Sequence, residues 1–514
     1  MKTPINKLTR RSFLTRAALA GATVSWSARS WAQVKSANED VRVAVVGFGQ
    51  RGMSHIEGFS KQKGVRIAGL CDVDKSILEK ETRKWADKGV EVQSVTDMRK
   101  LMENKDIDVI SIATPNHWHS LAAIWAIQAG KDVYVEKPVS HNVWEGRQLV
   151  KAARKYERIV QAGTQSRSST GIRDAFAWLR EGNLGKILVS RGLCYKSRPS
   201  IGRTEGPQKV PDNIDYDLWS GPAPLVPPRR NSSKWGTIHY DWHWFWNYGN
   251  GDLGNQGIHQ MDIARWALGV NELSPRILSL GGRLGYEDDG ETPNTQLVFH
   301  DYKPAPLLFE VRGLPDKTGG RNMDHFKDAQ YGEYKQKVKN KNTGEMELKP
   351  LKPGVAVIVH CEGGTMVVPS YSAATAFDRD GKEIQSWEGS TDLHFVNFIK
   401  AVKSRKYSDL NADVLEGHLS SALCHTGNIS YRLGKQSTPD AIKAALKSNS
   451  VLSEAFGRMT EHLAANGVDL EKSKATLGVA LTMDPKSERF VGNDQANAMI
   501  TRDYRKPYVV PENV

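Results

Sequence analysis

The chain has 514 residues, 39% of them hydrophobic, with 71 Lys plus Arg against 58 Asp plus Glu for a formal charge of +13. This is the composition of a globular protein of two or three domains and excludes disordered and fibrous classes. No apolar run reaches the ~18 residues of a membrane helix, and six of the basic residues fall in the first 32 without an acid, so the remaining surplus of seven names no nucleic-acid partner.

Residues 1–32 read as an address. Thr9-Arg10-Arg11-Ser12-Phe13-Leu14, a short run through Ala17 to Ala22, and small residues near Ser30-Trp31-Ala32 form a twin-arginine signal. The expectation is export to the periplasm by the twin-arginine machinery. That route carries folded proteins, so a cofactor loaded in the cytoplasm is expected. Cys71, Cys194, Cys361 and Cys424 stand too far apart for a metal knuckle or a disulfide framework.

Residues 40–162 alternate strand and helix patterns. Val41-Arg42-Val43-Ala44-Val45-Val46 has the β-branched content of a strand buried on both faces and runs into Gly47-Phe48-Gly49-Gln50-Arg51-Gly52. Strand, glycine loop and helix make a pyrophosphate cradle: one glycine for the turn, one for close approach, one for helix packing. Val65 to Cys71 is a second strand, ending at Asp72, where a carboxylate accepts ribose hydroxyls and repels a 2′-phosphate. NAD is therefore expected over NADP.

Ile107 to Ile112 is a further strand, Trp118 to Gln128 a helix, and Asp132 to Val135 a strand before Glu136-Lys137-Pro138. The repeated units predict an α/β fold with a doubly wound parallel sheet. Ligands of such sheets lie beyond the strand ends, where Thr114, Asn116, His117, Glu136 and Lys137 fall.

The glycine loop, Asp72, Thr114-Pro115-Asn116-His117 and Glu136-Lys137-Pro138 at these spacings resemble the glucose-fructose oxidoreductase, inositol dehydrogenase and rhizopine-catabolism (Gfo/Idh/MocA) superfamily over residues 40 to 440. The resemblance implies that Lys137 lies beside the nicotinamide and bonds the reacting hydroxyl, with a downstream histidine or tyrosine as acid or base. Gly249 to Trp266 resembles the family segment that carries this histidine, which places it at His259. Asn255 stands where inositol-dehydrogenase-like members have Asp, so His259 lacks a carboxylate to stabilise its imidazolium: either the proton leaves through another group, with Asp252 and Asp262 nearby, or His259 works as a less basic catalyst.

Residues 163–440 are expected to hold the substrate. Ile187 to Tyr195, Arg276 to Leu284, Gln296 to His300, Leu307 to Arg312, Val355 to Cys361 and Thr365 to Pro369 read as an open, mostly antiparallel sheet, which the resemblance implies serves substrate binding and oligomerisation. Residues 316–353 form a lysine-rich excursion. Helical patterns at Phe395 to Val402 and Leu415 to Leu433 return toward the first domain, and residues 441–514 read as a helical tail.

His239 to Tyr248 packs eight aromatic or imidazole rings into ten positions, a composition suited to sugar faces and also to a wedge between domains. Trp244 and Trp246 are the chosen sugar contacts. His239, Asp241 and His243 would share a face if extended and so form a weak metal pattern; no metal is expected. Gln165, Arg167, Tyr195 and residues 216–222 resemble pocket walls.

These readings predict an NAD-dependent oxidoreductase acting on a sugar, polyol or glycoside hydroxyl. The exported location demands a cofactor held at about nanomolar affinity and recycled in place. The alternative is an NAD-dependent glycoside hydrolase working by transient oxidation and elimination, like α-N-acetylgalactosaminidases, although a Tyr-Pro-Thr-His stretch associated with those enzymes is missing. A ligand-sensing protein would need neither Lys137 nor His259. A homo-oligomer is expected from the open sheet edges.

Overall fold

In the structure, a computed structural model, the described residues are 40–230, 238–315, 335–339, 343–350 and 354–514. The segment expected to direct export, Trp235 and most of the 316–353 excursion lie outside them.

The first sheet has six parallel strands: β1 (Val41–Val46), β2 (Val65–Cys71), β3 (Gln93–Val95), β4 (Val109–Ile112), β5 (Asp132–Val135) and β6 (Val160–Ala162), in the order β3-β2-β1-β4-β5-β6. Helices α1 (Arg51–Ser60), α2 (Lys75–Ala86), α3 (Arg99–Glu103), α4 (Asn116–Gln128) and α5 (Val143–Lys155) connect them. The central strands β4 and β5 are buried throughout, because helices cover both faces and leave no position for a polar residue in water. The order reverses between β1 and β4, so a crevice opens at their carboxyl ends.

After α6 (Thr170–Arg180), strand β7 (Ile187–Tyr195) enters a larger sheet; two short helices, α7 (Tyr216–Ser220) and α8 (Gly251–Asn255), and the longer α9 (Gly257–Leu268) come between it and the remaining strands. Its other strands are β8 (Arg276–Gly282), β9 (Thr295–His300), β10 (Leu307–Arg312), β13 (Val355–Cys361), β14 (Gly364–Val368), β15 (Ala374–Asp378) and β16 (Glu383–Trp387). The described part of the excursion is an antiparallel hairpin, β11 (Lys335–Lys339) and β12 (Met346–Pro350). The large sheet runs β16-β15-β14-β13-β7-β10-β9-β8; its pairs are antiparallel except β7 with β10. This is the α/β arrangement expected, a parallel doubly wound sheet followed by a mostly antiparallel one.

One face of the large sheet buries Val298, Phe309, Val357 and Val359 against α6, α9 and α11 (Val414–Arg432), which follows α10 (Leu393–Ser404). Helix α11 also reaches the first sheet: Val414 belongs to the core formed by Ile110, Val133 and Leu149. Residues after 440 are not a plain helical tail. Helices Pro439–Leu446 and Ser450–Ala465 cover the other face of the large sheet, strands Lys435–Ser437 and Ala475–Leu477 extend its edge, and the last residues return to the first domain. Among the described residues no helix is long and apolar enough to cross a membrane.

Candidate active site

A cleft of about 1070 Å³ opens over the carboxyl ends of β1, β2, β4 and β5 and is closed on its other side by residues of the second domain. It is built from loops whose geometry the strands dictate.

Gly47, at φ +76°, turns the chain against the Thr114 backbone, where an added Cβ would lie 3.0 Å from Thr114 Cα. Gly52 starts α1 so close to this turn that a Cβ there would sit 2.0 Å from the Gly47 carbonyl oxygen. Gly47, Gly49, Gln50 and Arg51 line the cleft. Phe48 contributes backbone alone; its ring is buried in the core below β1. The Phe48 N–H donates to Asp72 Oδ2 at 2.9 Å and the Asp74 N–H to Asp72 Oδ1 at 3.0 Å. Burial nonetheless pushes the Asp72 carboxyl above its ordinary range. Thr114 and Asn116 line the cleft at the end of β4, and Thr114 Oγ1 is buried with no hydrogen-bond partner among the described residues. A glycine cradle and a carboxylate closing β2 are what a dinucleotide requires.

Glu136 is almost fully buried and accepts from Arg51 Nε at 2.8 Å, His55 Nε2 at 3.0 Å and Gln165 Nε2 at 3.3 Å. Burial opposes its charge, but Arg51 and His55 hold the carboxyl well below the usual carboxylate range. The next residue, Lys137, extends into the cleft and donates from Nζ to the Asn255 carbonyl oxygen at 2.9 Å, with Asn255 Oδ1 at 3.5 Å. Burial brings the Lys137 pKa down to about 8, against the upward pull of Glu136.

His259 lies in the first turn of α9 with its ring edge-on to Tyr371, centroids 5.1 Å apart. Its Nδ1 is buried with no partner among the described residues, and burial, reinforced by the Lys137 ammonium, keeps the imidazole well below its ordinary pKa. The ring is therefore neutral near pH 7 and can accept a hydrogen bond. Lys137, Asn255, His259 and Gln165 share this end of the cleft with Tyr240, Trp242, His243 and Tyr371.

Several expected residues lie elsewhere. The His117 ring turns into the interior, where Nε2 bonds the Trp219 carbonyl at 2.9 Å and the ring packs on Trp219 and Tyr248. Arg167 is spent on a buried ion pair with Asp262, Nε to Oδ2 2.8 Å, and on Glu416 at 2.9 Å. Tyr195 donates to Glu310 at 2.6 Å and is buried with Leu193 and Phe377 in another part of the large sheet. Asp252 is clasped by Arg198 at 2.7 and 2.9 Å, so neither it nor Asp262 is a spare proton acceptor.

Trp244 and Trp246 are also outside the cleft. Trp244 is buried beneath Arg198, and Trp246 stands under the Arg432 guanidinium, 4.9 Å from its ring centre. The segment is not extended: Asp241–Trp244 is a 3₁₀ turn, so Tyr240 and His243, three apart, share one side while Asp241 and Trp244 share the buried one. The same turn separates His239, Asp241 and His243, and among the described residues no cluster of three or more His, Cys, Asp or Glu could hold a metal. His239 instead reaches Asp74, Nε2 to Oδ2 3.1 Å, and faces Gly49.

Tyr371 and Tyr508 had no local signal. Tyr371 sits in an irregular Ser-Tyr-Ser loop after β14, and Tyr508 in the terminal segment.

Residues 41–164 match the model described as "Oxidoreductase family, NAD-binding Rossmann fold", and residues 182–289 match "Oxidoreductase family, C-terminal alpha/beta domain", both of the Gfo/Idh/MocA type. The first segment is thus an NAD-binding Rossmann domain. An α-N-acetylgalactosaminidase from Shewanella oneidensis is 31% identical over 125 residues, 23% of this chain and 27% of that protein. The chain thus spans about a quarter of the length of this curated relative. The WlbA dehydrogenase from Chromobacterium violaceum, solved with NADH and UDP-GlcNAcA, is 18% identical, covers 77% of this chain and 95% of its own, and superposes with a TM-score of 0.54. Levoglucosan dehydrogenase, solved with NADH and levoglucosan, is 15% identical, covers 76% and 98%, and has a TM-score of 0.51. These two likenesses establish the fold.

Proposed function

We propose that this chain is an NAD-dependent oxidoreductase of the Gfo/Idh/MocA type that acts on a sugar, polyol or glycoside hydroxyl. The observation that carries the reading is Lys137: a half-buried amine brought down to a pKa of about 8, at the junction between the glycine-loop cleft and the wall formed by Asn255, His259 and Tyr371.

Bound NAD would supply a hydride acceptor. The chain supplies the rest. The loop Gly47 to Gly52 offers backbone N–H groups and the N-terminus of α1 to a pyrophosphate, and Asp72 offers a carboxylate to ribose hydroxyls. Thr114 and Asn116 line the path toward Lys137. Lys137 in its neutral form can take the hydroxyl proton at Nζ, and the neutral His259 ring, which lines the same cleft, can orient that hydroxyl. Tyr240, Trp242 and Tyr371 present flat faces and polar edges suited to a carbohydrate ring. Glu136, fixed by Arg51, His55 and Gln165, holds the backbone that carries Lys137.

The Arg10-Arg11 segment supports twin-arginine export to the periplasm, and with it a cofactor that stays bound between turnovers. The open large sheet supports a homo-oligomer. A redox-neutral glycoside hydrolysis by transient oxidation and elimination is the second reading, favoured by the likeness of the first domain to an α-N-acetylgalactosaminidase.

The test is a panel of free sugars, polyols and aryl glycosides incubated with the purified full chain and NAD, followed by NADH absorbance and by release of the aryl group. Absorbance change with a sugar or polyol supports the oxidoreductase; aryl release without net NADH supports the hydrolase. Silence in both channels across the panel contradicts the proposal.

A further inference from the structure

The segment from Met499 to Val514 has no regular secondary structure, so side-chain hydrogen bonds and packing are what hold it. It is tied along its length. Arg502 donates to the Asn247 carbonyl at 3.0 Å, Arg505 Nε to the Gly221 carbonyl at 2.9 Å, and Gln148 Nε2 to the Pro511 carbonyl at 2.8 Å. The Lys155 ammonium holds the Val514 carbonyl oxygen, and Val510 and Val514 are buried in the core of the first domain beside Trp118 and Leu121.

Between these anchors lies Tyr508. Its hydroxyl donates to Asp217 Oδ2 at 3.1 Å, its ring packs against Trp118 and Trp125 with centroids 5.5 and 6.3 Å away, and the Arg99 guanidinium stands 5.9 Å above it. Tyr508, Trp118, Trp125, Met98 and Arg99 all line the cleft that holds Asp72. Met98 and Arg99 follow β3, which flanks β2 on the side away from β4 and β5, so this wall stands at the opposite end from Lys137. In a Rossmann crevice the acid closing the second strand marks the adenosine half of the dinucleotide.

Resting on the proposed NAD function, we propose that the C-terminal segment is part of the cofactor site: Tyr508 walls the adenosine end of the cleft, and the anchored tail slows release of the dinucleotide. The segment lies outside the residues matched by either family model. It gives a physical basis for a cofactor that stays through many turnovers.

The test uses the full chain and two substitutions. Tyr508→Ala removes the wall; Arg505→Ala loosens the tail by removing the tie to Gly221 and the guanidinium 4.8 Å from the Tyr508 ring, at a residue that does not itself line the cleft. Titration calorimetry with NAD, ADP-ribose and nicotinamide mononucleotide is combined with the dissociation rate of NADH followed by its fluorescence. Removing an aromatic wall against a nucleobase is expected to weaken NAD and ADP-ribose about tenfold and leave nicotinamide mononucleotide unchanged. Arg505→Ala is expected to speed NADH release, and Tyr508→Phe, which keeps the ring, to restore near-native affinity. Unchanged ADP-ribose affinity and release rate in both variants, or equal weakening of all three ligands, would overturn the inference while leaving the functional reading in place. A wild-type chain that binds none of the three would overturn both.

Discussion

The side-chain nitrogen of Lys137 lies 2.9 Å from the main-chain oxygen of Asn255, 118 residues further along the chain. This contact ties the motif after β5 to the short helix α8 of the second domain. The neutral amide of Asn255 adds no negative charge to the upward pull of Glu136, and burial prevails.

Asn255→Asp supplies that carboxylate. With Asn255 Oδ1 already 3.5 Å from Nζ, a negative charge there favours the ammonium and raises the Lys137 pKa from about 8. The amine is the active form in this scheme, so kcat/KM rises with pH through the Lys137 pKa. In the variant the same rise should move alkaline by about one unit or more. A pH profile at saturating NAD checks this; an unmoved midpoint contradicts the assignment of Lys137 as proton acceptor.

Lys137→Met removes the amine but keeps an unbranched apolar stem in the buried channel. Turnover should fall by about 10²–10⁴-fold, the usual worth of a positioned acid or base, while NAD affinity changes little. Parallel rate and calorimetric measurements separate the two effects. Equal loss of both would make Lys137 a cofactor ligand only.

Arg167 tests the distinction between buried polar residues and site residues. Arg167→Met takes the nearest cation from Asp262, whose side chain is 1% exposed and keeps only Ser420 Oγ at 2.7 Å and Arg265 at 3.9 Å, and breaking a buried pair costs up to about 3–5 kcal/mol. Chemical denaturation should show that loss, and the protein that remains folded should keep its wild-type KM. A raised KM with unchanged stability would return Arg167 to the substrate wall.

Much of the first domain was legible because its signals are local. A continuous β-branched run, three spaced glycines and an acid ending the next strand fix β1, α1 and β2, and Glu136-Lys137 follows its strand directly. Strand β3 was missed because Gln93-Ser94-Val95 is three residues long and mostly polar. Arg167 and Tyr195 read as pocket walls since their type suits a ligand, yet each satisfies a buried partner distant in sequence, Asp262 and Glu310, which no pattern announces. Trp244 and Trp246 were chosen from a ring-rich run whose facing depends on a 3₁₀ turn that aromatic composition does not encode. Tyr371 and Tyr508 reach the cleft through tertiary packing alone.

The central claim is that a nicotinamide dinucleotide occupies the cleft between Asp72 and Lys137. Its most direct test is calorimetric titration of the purified full chain, stripped of endogenous nucleotide, with NAD and with NADP. The account predicts saturable binding of NAD, tighter than NADP, that Asp72→Ala weakens by at least about tenfold, since the variant loses both the ribose-facing carboxylate and the acceptor for the Phe48 N–H. No heat with either nucleotide, or NAD binding indifferent to the loss of Asp72, would contradict it.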